Sequence, residues 1–144
     1  MDTPPPTPPR REDIDHLNLL SVFHYVLGGI GFFLACFPLI HVTLGWIMVH
    51  HPSMMSGNHG TPPPAAVGYL FIVIGGLLVI AGWIVALLTV VSGWMISRRR
   101  NRIFSIVIAA LLCAFVPFGT VLGVFTIIVL SRESVKQLYA STPA

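Results

Sequence analysis

Charge is scarce in this chain: eight Lys and Arg and five Asp and Glu amount to 9% of 144 residues, whereas a soluble globular domain carries roughly a quarter. So few cations cannot form the basic face that a nucleic-acid binder needs, which excludes that partner. Cysteine is almost missing as well. Cys36 and Cys113 each lie inside an apolar run, so neither a disulfide scaffold nor a CxxC zinc site is available. Carboxylates are absent from the places where ion-coupled carriers hold them. Asp2, Glu12, Asp13, Asp15 and Glu133 all fall outside the apolar runs, and no HExxH or Ser/His/Asp pattern occurs. The chain therefore reads as no enzyme and no carboxylate-coupled carrier.

What is abundant is apolar surface, at 55% of residues and a mean hydropathy of +0.85. Composition divides the chain into a Pro-rich head at 1–18, apolar runs at 19–49, 65–96 and 103–130, and a polar tail at 131–144. An uncharged Pro/Gly/His/Met loop fills the gap at 50–64, and the basic hinge SRRRNR occupies 97–102. Each run exceeds the ~20 residues that span a hydrocarbon core of ~30 Å as helix. The predicted fold is all-α, a polytopic membrane protein with three long transmembrane helices in one domain. Pro38 and Pro117 sit near the middle of the first and third runs and predict kinks there. Re-entrant hairpins are the alternative, although half-runs of about 14 residues reach only ~21 Å.

Orientation follows from the cations. With the N-terminus cytoplasmic, Arg10, Arg11, Arg98, Arg99, Arg100 and Arg102 fall inside and the uncharged loop crosses. Arg132 and Lys136 fall outside in the three-span reading and inside if the third run is a hairpin, which leaves the side of the C-terminus open. The head, with five prolines in its first nine residues, reads as a disordered extended tether rather than a secretory signal. Pro5, Pro8 and Arg10 also match the PxxPxR pattern of SH3 ligands.

Small residues mark expected helix contacts, because association in lipid depends on close backbone approach. Gly68, Gly75, Gly82 and Thr89 recur every seven residues in the second run, Gly31, Pro38 and Gly45 in the first, and Gly119 and Gly123 stand four apart in the third. Three helices bury few faces by themselves, so a homo-oligomer or a larger membrane complex is the expected partner besides the bilayer. Cys36 to Gly45 and Cys113 to Gly123 also echo each other in Cys, Pro, Thr and Gly.

The residues able to carry chemistry are few. His24 and His41 lie in the first run, 17 positions and roughly 25 Å apart, so they share no ligand. Each suits a hydrogen bond to a nearby carbonyl or hydroxyl, with a proton relay or ligand role as the alternative. The loop gathers His50, His51, Met54, Met55 and His59, an imidazole and thioether set suited to Cu(I). No cofactor is predicted otherwise; copper binding or transport is the alternative function to a structural or accessory subunit. Arg98, Arg99, Arg100 and Arg102 stand where anionic lipid headgroups are expected.

The stretch PFGTVLGVFTIIVLSRESVKQLY, Pro117 to Tyr139, resembles a C-terminal phrase of a family of small bacterial inner-membrane proteins of uncharacterised role. The HLNLLSVFHY opening extends the likeness. The resemblance implies a bacterial cytoplasmic membrane and carries no activity or site with it.

Overall fold

The computed structural model describes residues 11–56 and 61–140, all of whose regular structure is helical. Seven helices follow in order: α1 Arg11–Leu34, α2 Leu39–His50, α3 Pro52–Met55, α4 Ala65–Ser97, α5 Arg102–Leu112, α6 Phe118–Ser131 and α7 Glu133–Ala140. Two helical stretches are long and apolar enough to cross a membrane, 11–50 and 65–97, with the bent pair α6 and α7 as a third candidate. The prolines of the head, including Pro5, Pro8 and the neighbouring Arg10, lie outside the described residues, as does His59.

The chain forms two compact units, one from residues 30–86 and one from residues 11–29 with 87–140. In the first, the end of α1, the turn at 35–38 and α2 run antiparallel to the first part of α4. Pro38 has no N–H and cannot continue the α1 ladder. The chain tightens instead through i→i−3 bonds: Cys36 N–H donates to the Phe33 carbonyl, Phe37 to Leu34 and Leu39 to Cys36, each at 3.0 Å. Helix resumes at Leu39. A Cβ placed on Gly45 would stand 2.5 Å from the Gly68 carbonyl oxygen, one on Gly75 3.1 Å from that of Pro38, and one on Gly82 2.6 Å from the Ala35 Cβ. Gly31 faces Ala86 at an ordinary 3.9 Å. Gly45, Gly75 and Gly82 let two backbones approach where any side chain would hold them apart.

In the other unit the third apolar run departs from the predicted single kinked helix. α5 rises, the chain reverses across 113–117 with a cis Val116–Pro117 bond, and α6 returns antiparallel to α5. A Cβ on Gly119 would press on the Leu112 carbonyl, and one on Gly123 on the Ala109 carbonyl and the Cys113 Sγ. The Thr120 hydroxyl donates to the Cys113 carbonyl at 2.9 Å and ties the reversal. At 11 and 14 residues, α5 and α6 are about 16 and 21 Å long, each short of a full span. The run is a helical hairpin because two glycines facing carbonyls, placed four residues apart, reward antiparallel packing of its halves.

The tails also depart from the sequence reading. Residues 11–18 are the first turns of α1, not part of a disordered head, and Asp13 and Leu17 are buried. Residues 133–140 form α7, which buries Val135 and Leu138. These close a core with Leu17, Leu20, Ile96, Val129 and Leu130. The ends of α1, α4 and α6 therefore meet at α7. Arg99 and Asn101, both with positive φ, turn the chain from α4 to α5 beside this core. Arg11, Arg98, Arg99, Arg100, Arg102, Arg132 and Lys136 thus gather at one end of this unit, against Glu12, Asp13, Asp15 and Glu133. Among them the Asp13 carboxylate, with its side chain 6% exposed, pairs with Arg132 at 3.5 Å.

Candidate functional site

Four helices of the second unit each contribute a fully buried polar side chain: His24 from α1, Ser92 from α4, Ser105 from α5 and Thr126 from α6, all at 0% exposure. Their register places them in one layer. His24 lies between Leu20 and Leu27, Ser92 between Leu88 and Ile96, Thr126 between Leu122 and Val129, and Ser105 one turn before Ile108. The flanking residues belong to two separate apolar clusters. One contains Leu20, Ile96 and Val129; the other contains Ile108 and Leu122, with Leu27 and Leu88 packed against it. The four polar side chains thus stand next to residues of both clusters.

Within the layer, α1 meets α4 at Gly93, where a Cβ would fall 2.9 Å from the His24 Cβ. The Ser21 hydroxyl donates to the Gly93 carbonyl at 2.8 Å. His24 Nδ1 lies 2.9 Å from the Leu20 carbonyl; a carbonyl only accepts, so Nδ1 carries the hydrogen. In the neutral ring Nε2 then presents a lone pair. That nitrogen and the Ser92 and Ser105 hydroxyl oxygens are buried without a hydrogen-bond partner. The Thr126 hydroxyl donates back to the Leu122 carbonyl at 2.7 Å. Polar groups in lipid bias which helices meet and in which register, each contact adding roughly 0.6–2 kcal/mol.

The other sequence-selected residues lie apart. His41 is exposed and stacks on Phe71 at 5.8 Å. His50 stacks on Trp46 at 3.9 Å, and its Nδ1 donates to the Trp46 carbonyl at 3.1 Å. His51 ends α2, while Met54 is 74% and Met55 37% exposed. Among the described residues no three of His, Cys, Asp and Glu gather as a metal site. The Cys36 Sγ donates to the Phe32 carbonyl, and Cys113 lies against Gly123 in the hairpin. Of the basic hinge, the Arg98 guanidinium lies 5.4 Å from the centre of the Trp94 ring. Arg99 and Arg102 face Tyr139, whose phenol burial pushes up to about 12 against their opposing field.

Sequence reasoning singled out His24 but missed Ser92, Ser105 and Thr126. A signal was present at Thr126, a hydroxyl with Leu122 four residues before it and Val129 and Leu130 after it; Ser92 follows Thr89 and Ser105 follows Arg102, so neither stands out in the sequence. Comparison with known proteins adds no relative, since no family model, curated protein or solved structure matches this chain.

Proposed function

We propose that this chain is a small non-enzymatic integral membrane protein that acts through helix packing, as an accessory subunit of a membrane assembly or as a homo-oligomer. Its setting is a bacterial cytoplasmic membrane with both ends of the chain on the cytoplasmic side. The positive-inside rule supports the orientation, because the cations collect at the end shared by α1, α4, α6 and α7.

The observation that carries the reading is the open face of α4 around Gly76. Gly68, Gly75 and Gly82 are occupied by contacts within the chain, whereas nothing lies within 4 Å of a Cβ on Gly76. Val73, Leu77 and Ile80 around it are 58%, 63% and 57% exposed. A glycine notch among outward aliphatics lets another helix come close, which is the chief source of association in lipid.

Gentle solubilisation followed by native mass spectrometry tests this. The protein is expected to emerge in a defined complex, which Gly76→Leu dissociates while leaving the thermal unfolding of the chain unchanged. Emergence as a lone protomer, or a complex indifferent to Gly76→Leu, overturns the reading. Gly75→Leu is the contrasting variant, because it strikes the Pro38 carbonyl inside the chain and destabilises the fold itself.

A further inference from the structure

An apolar furrow of about 420 Å³ runs between α1 and α6 in the unit of the polar layer, lined by Phe23, Leu27, Pro117, Phe118, Val121 and Phe125 among others. It lies within the roughly 300–1,000 Å³ of small-molecule pockets. Its walls are open rather than collapsed: Phe118 is 76% and Val121 71% exposed. Towards the basic end the furrow changes character. The His16 ring meets Phe125 edge-on at 6.4 Å, and Arg132, the residue just after the end of α6, pairs with Asp13 on the turn of α1 before His16. The Arg132 side chain keeps 45% of its surface exposed while it holds Asp13.

Length identifies what fits. From Phe118 to Arg132 is 14 residues, about 21 Å of helix. One leaflet, including its headgroups, is half of the ~40–45 Å total, or about 20–22 Å. Phe118, at the tip of the hairpin, thus lies at bilayer mid-depth when Arg132 lies among the headgroups. Charge narrows the choice. The end of the unit towards which the α1–α6 seam continues past Phe125 carries more cations than carboxylates, and each cation near the surface attracts anionic lipid by about 1 kcal/mol.

We propose that this furrow is a binding site for one anionic phospholipid of the adjacent leaflet, with an acyl chain along Phe23, Val121 and Phe125 and the phosphate on the Arg132 guanidinium. The proposal rests on membrane placement of the hairpin and not on any partner subunit. An acyl chain suits a wall with almost no polar surface, and the half-exposed guanidinium supplies a charge-assisted donor for phosphate oxygen. The site differs from the Arg98 to Arg102 hinge, where Arg98 lies over Trp94 and Arg99 and Arg102 face Tyr139.

Native mass spectrometry of the purified full chain, titrated with phosphatidylglycerol or phosphatidylcholine of matched chains, provides the test. One phosphatidylglycerol is expected to be retained about fivefold or more over phosphatidylcholine. Val121→Trp, which fills the furrow, is expected to abolish that retained lipid, and Leu78→Trp, on an exposed face of α4 turned away from Gly76, to leave it. Arg132→Gln should remove the headgroup preference. Because that change strands Asp13, the paired variant Asp13→Asn with Arg132→Gln is read alongside it. Equal retention of the two lipids, or retention unaffected by Val121→Trp, overturns the proposal. So does a Val121→Trp that changes oligomer mass but not lipid retention, which assigns the furrow to a second copy.

Discussion

The Ser21 hydroxyl donates a 2.8 Å hydrogen bond to the carbonyl of Gly93, 72 residues away in sequence, and joins α1 to α4 beside the polar layer. The bond exists because Gly93 has no side chain: a Cβ there would stand 3.1 Å from the Ser21 carbonyl oxygen and 2.9 Å from the His24 Cβ. Gly93→Ala is therefore expected to destabilise the protein by about 1–3 kcal/mol through overpacking. Gly29→Ala, in open space, should be neutral or slightly stabilising. Unfolding in mixed micelles of sodium dodecyl sulfate compares the two, and equal effects would show that the crossing tolerates a methyl group.

The hairpin makes a topological prediction. In a background with Cys36→Ser and Cys113→Ser, single cysteines at Ser97 and Ser134 should react with an impermeant maleimide from the same side of the membrane. Labelling from opposite sides would restore three full spans. With Cys113 retained and only Cys36→Ser, Gly123→Leu, directed at the Ala109 carbonyl and Cys113, should splay α5 from α6 and expose the Cys113 thiol to alkylation.

Asp13 and Arg132 form a half-buried ion pair, unlike Lys136 and Glu133, whose side chains are 38% and 78% exposed. Lys136→Gln is expected to cost at most the roughly 0.2–1 kcal/mol of an exposed pair. Arg132→Gln should cost more than about 1 kcal/mol, because it leaves a carboxylate that is 6% exposed without its partner. Adding Asp13→Asn should recover part of the loss. The same unfolding measurement decides, and equal costs for the two single variants would place Asp13 in water.

Tyr139 gives a pH signature. Burial raises its pKa from 10.0 to about 12, with Arg99 and Arg102 pulling the other way. The folded protein then holds the phenolic proton more tightly than the unfolded chain. The resulting stability is complete below pH 10 and is lost as pH rises through about 12. Ultraviolet titration should show one tyrosinate appearing late, and Tyr139→Phe should remove that step together with the associated fall in stability. A titration in which all tyrosines ionise near their ordinary value contradicts this.

Most of the helical architecture was legible in apolar length alone, and α4 shows why: its 33 residues contain neither charge nor proline, so the span reads directly. The hairpin was harder because Pro38 and Pro117 give the same local signal. After the turn at 35–38 the chain goes on into α2, and residues 11–50 remain one long stretch. The segment 113–117 reverses, because Gly119 and Gly123 find the carbonyls of α5 across the turn. That preference is a property of two segments packed together, invisible to a window moving along the chain. The same holds for the polar layer. A histidine stands out in an apolar run, but three hydroxyls on three helices become one feature only when their helices are aligned. α7 was missed for an opposite reason: its apolar Val135, Leu138 and Tyr139 sit at helical spacing within a segment polar enough to resemble a tail.

The short reach of the hairpin also bears on how the chain enters a bilayer. With α5 and α6 returning to the basic end, the third run need not deliver Arg132, Glu133 or Lys136 to the far side. In the proposed topology the connection between α2 and α4 is the segment carried across, and it has no Asp, Glu, Lys or Arg. A charged side chain at the centre of a membrane helix costs roughly 2.5–3.5 kcal/mol on the insertion scale. In that topology a hairpin that turns back at mid-depth keeps every formal charge out of the translocated path.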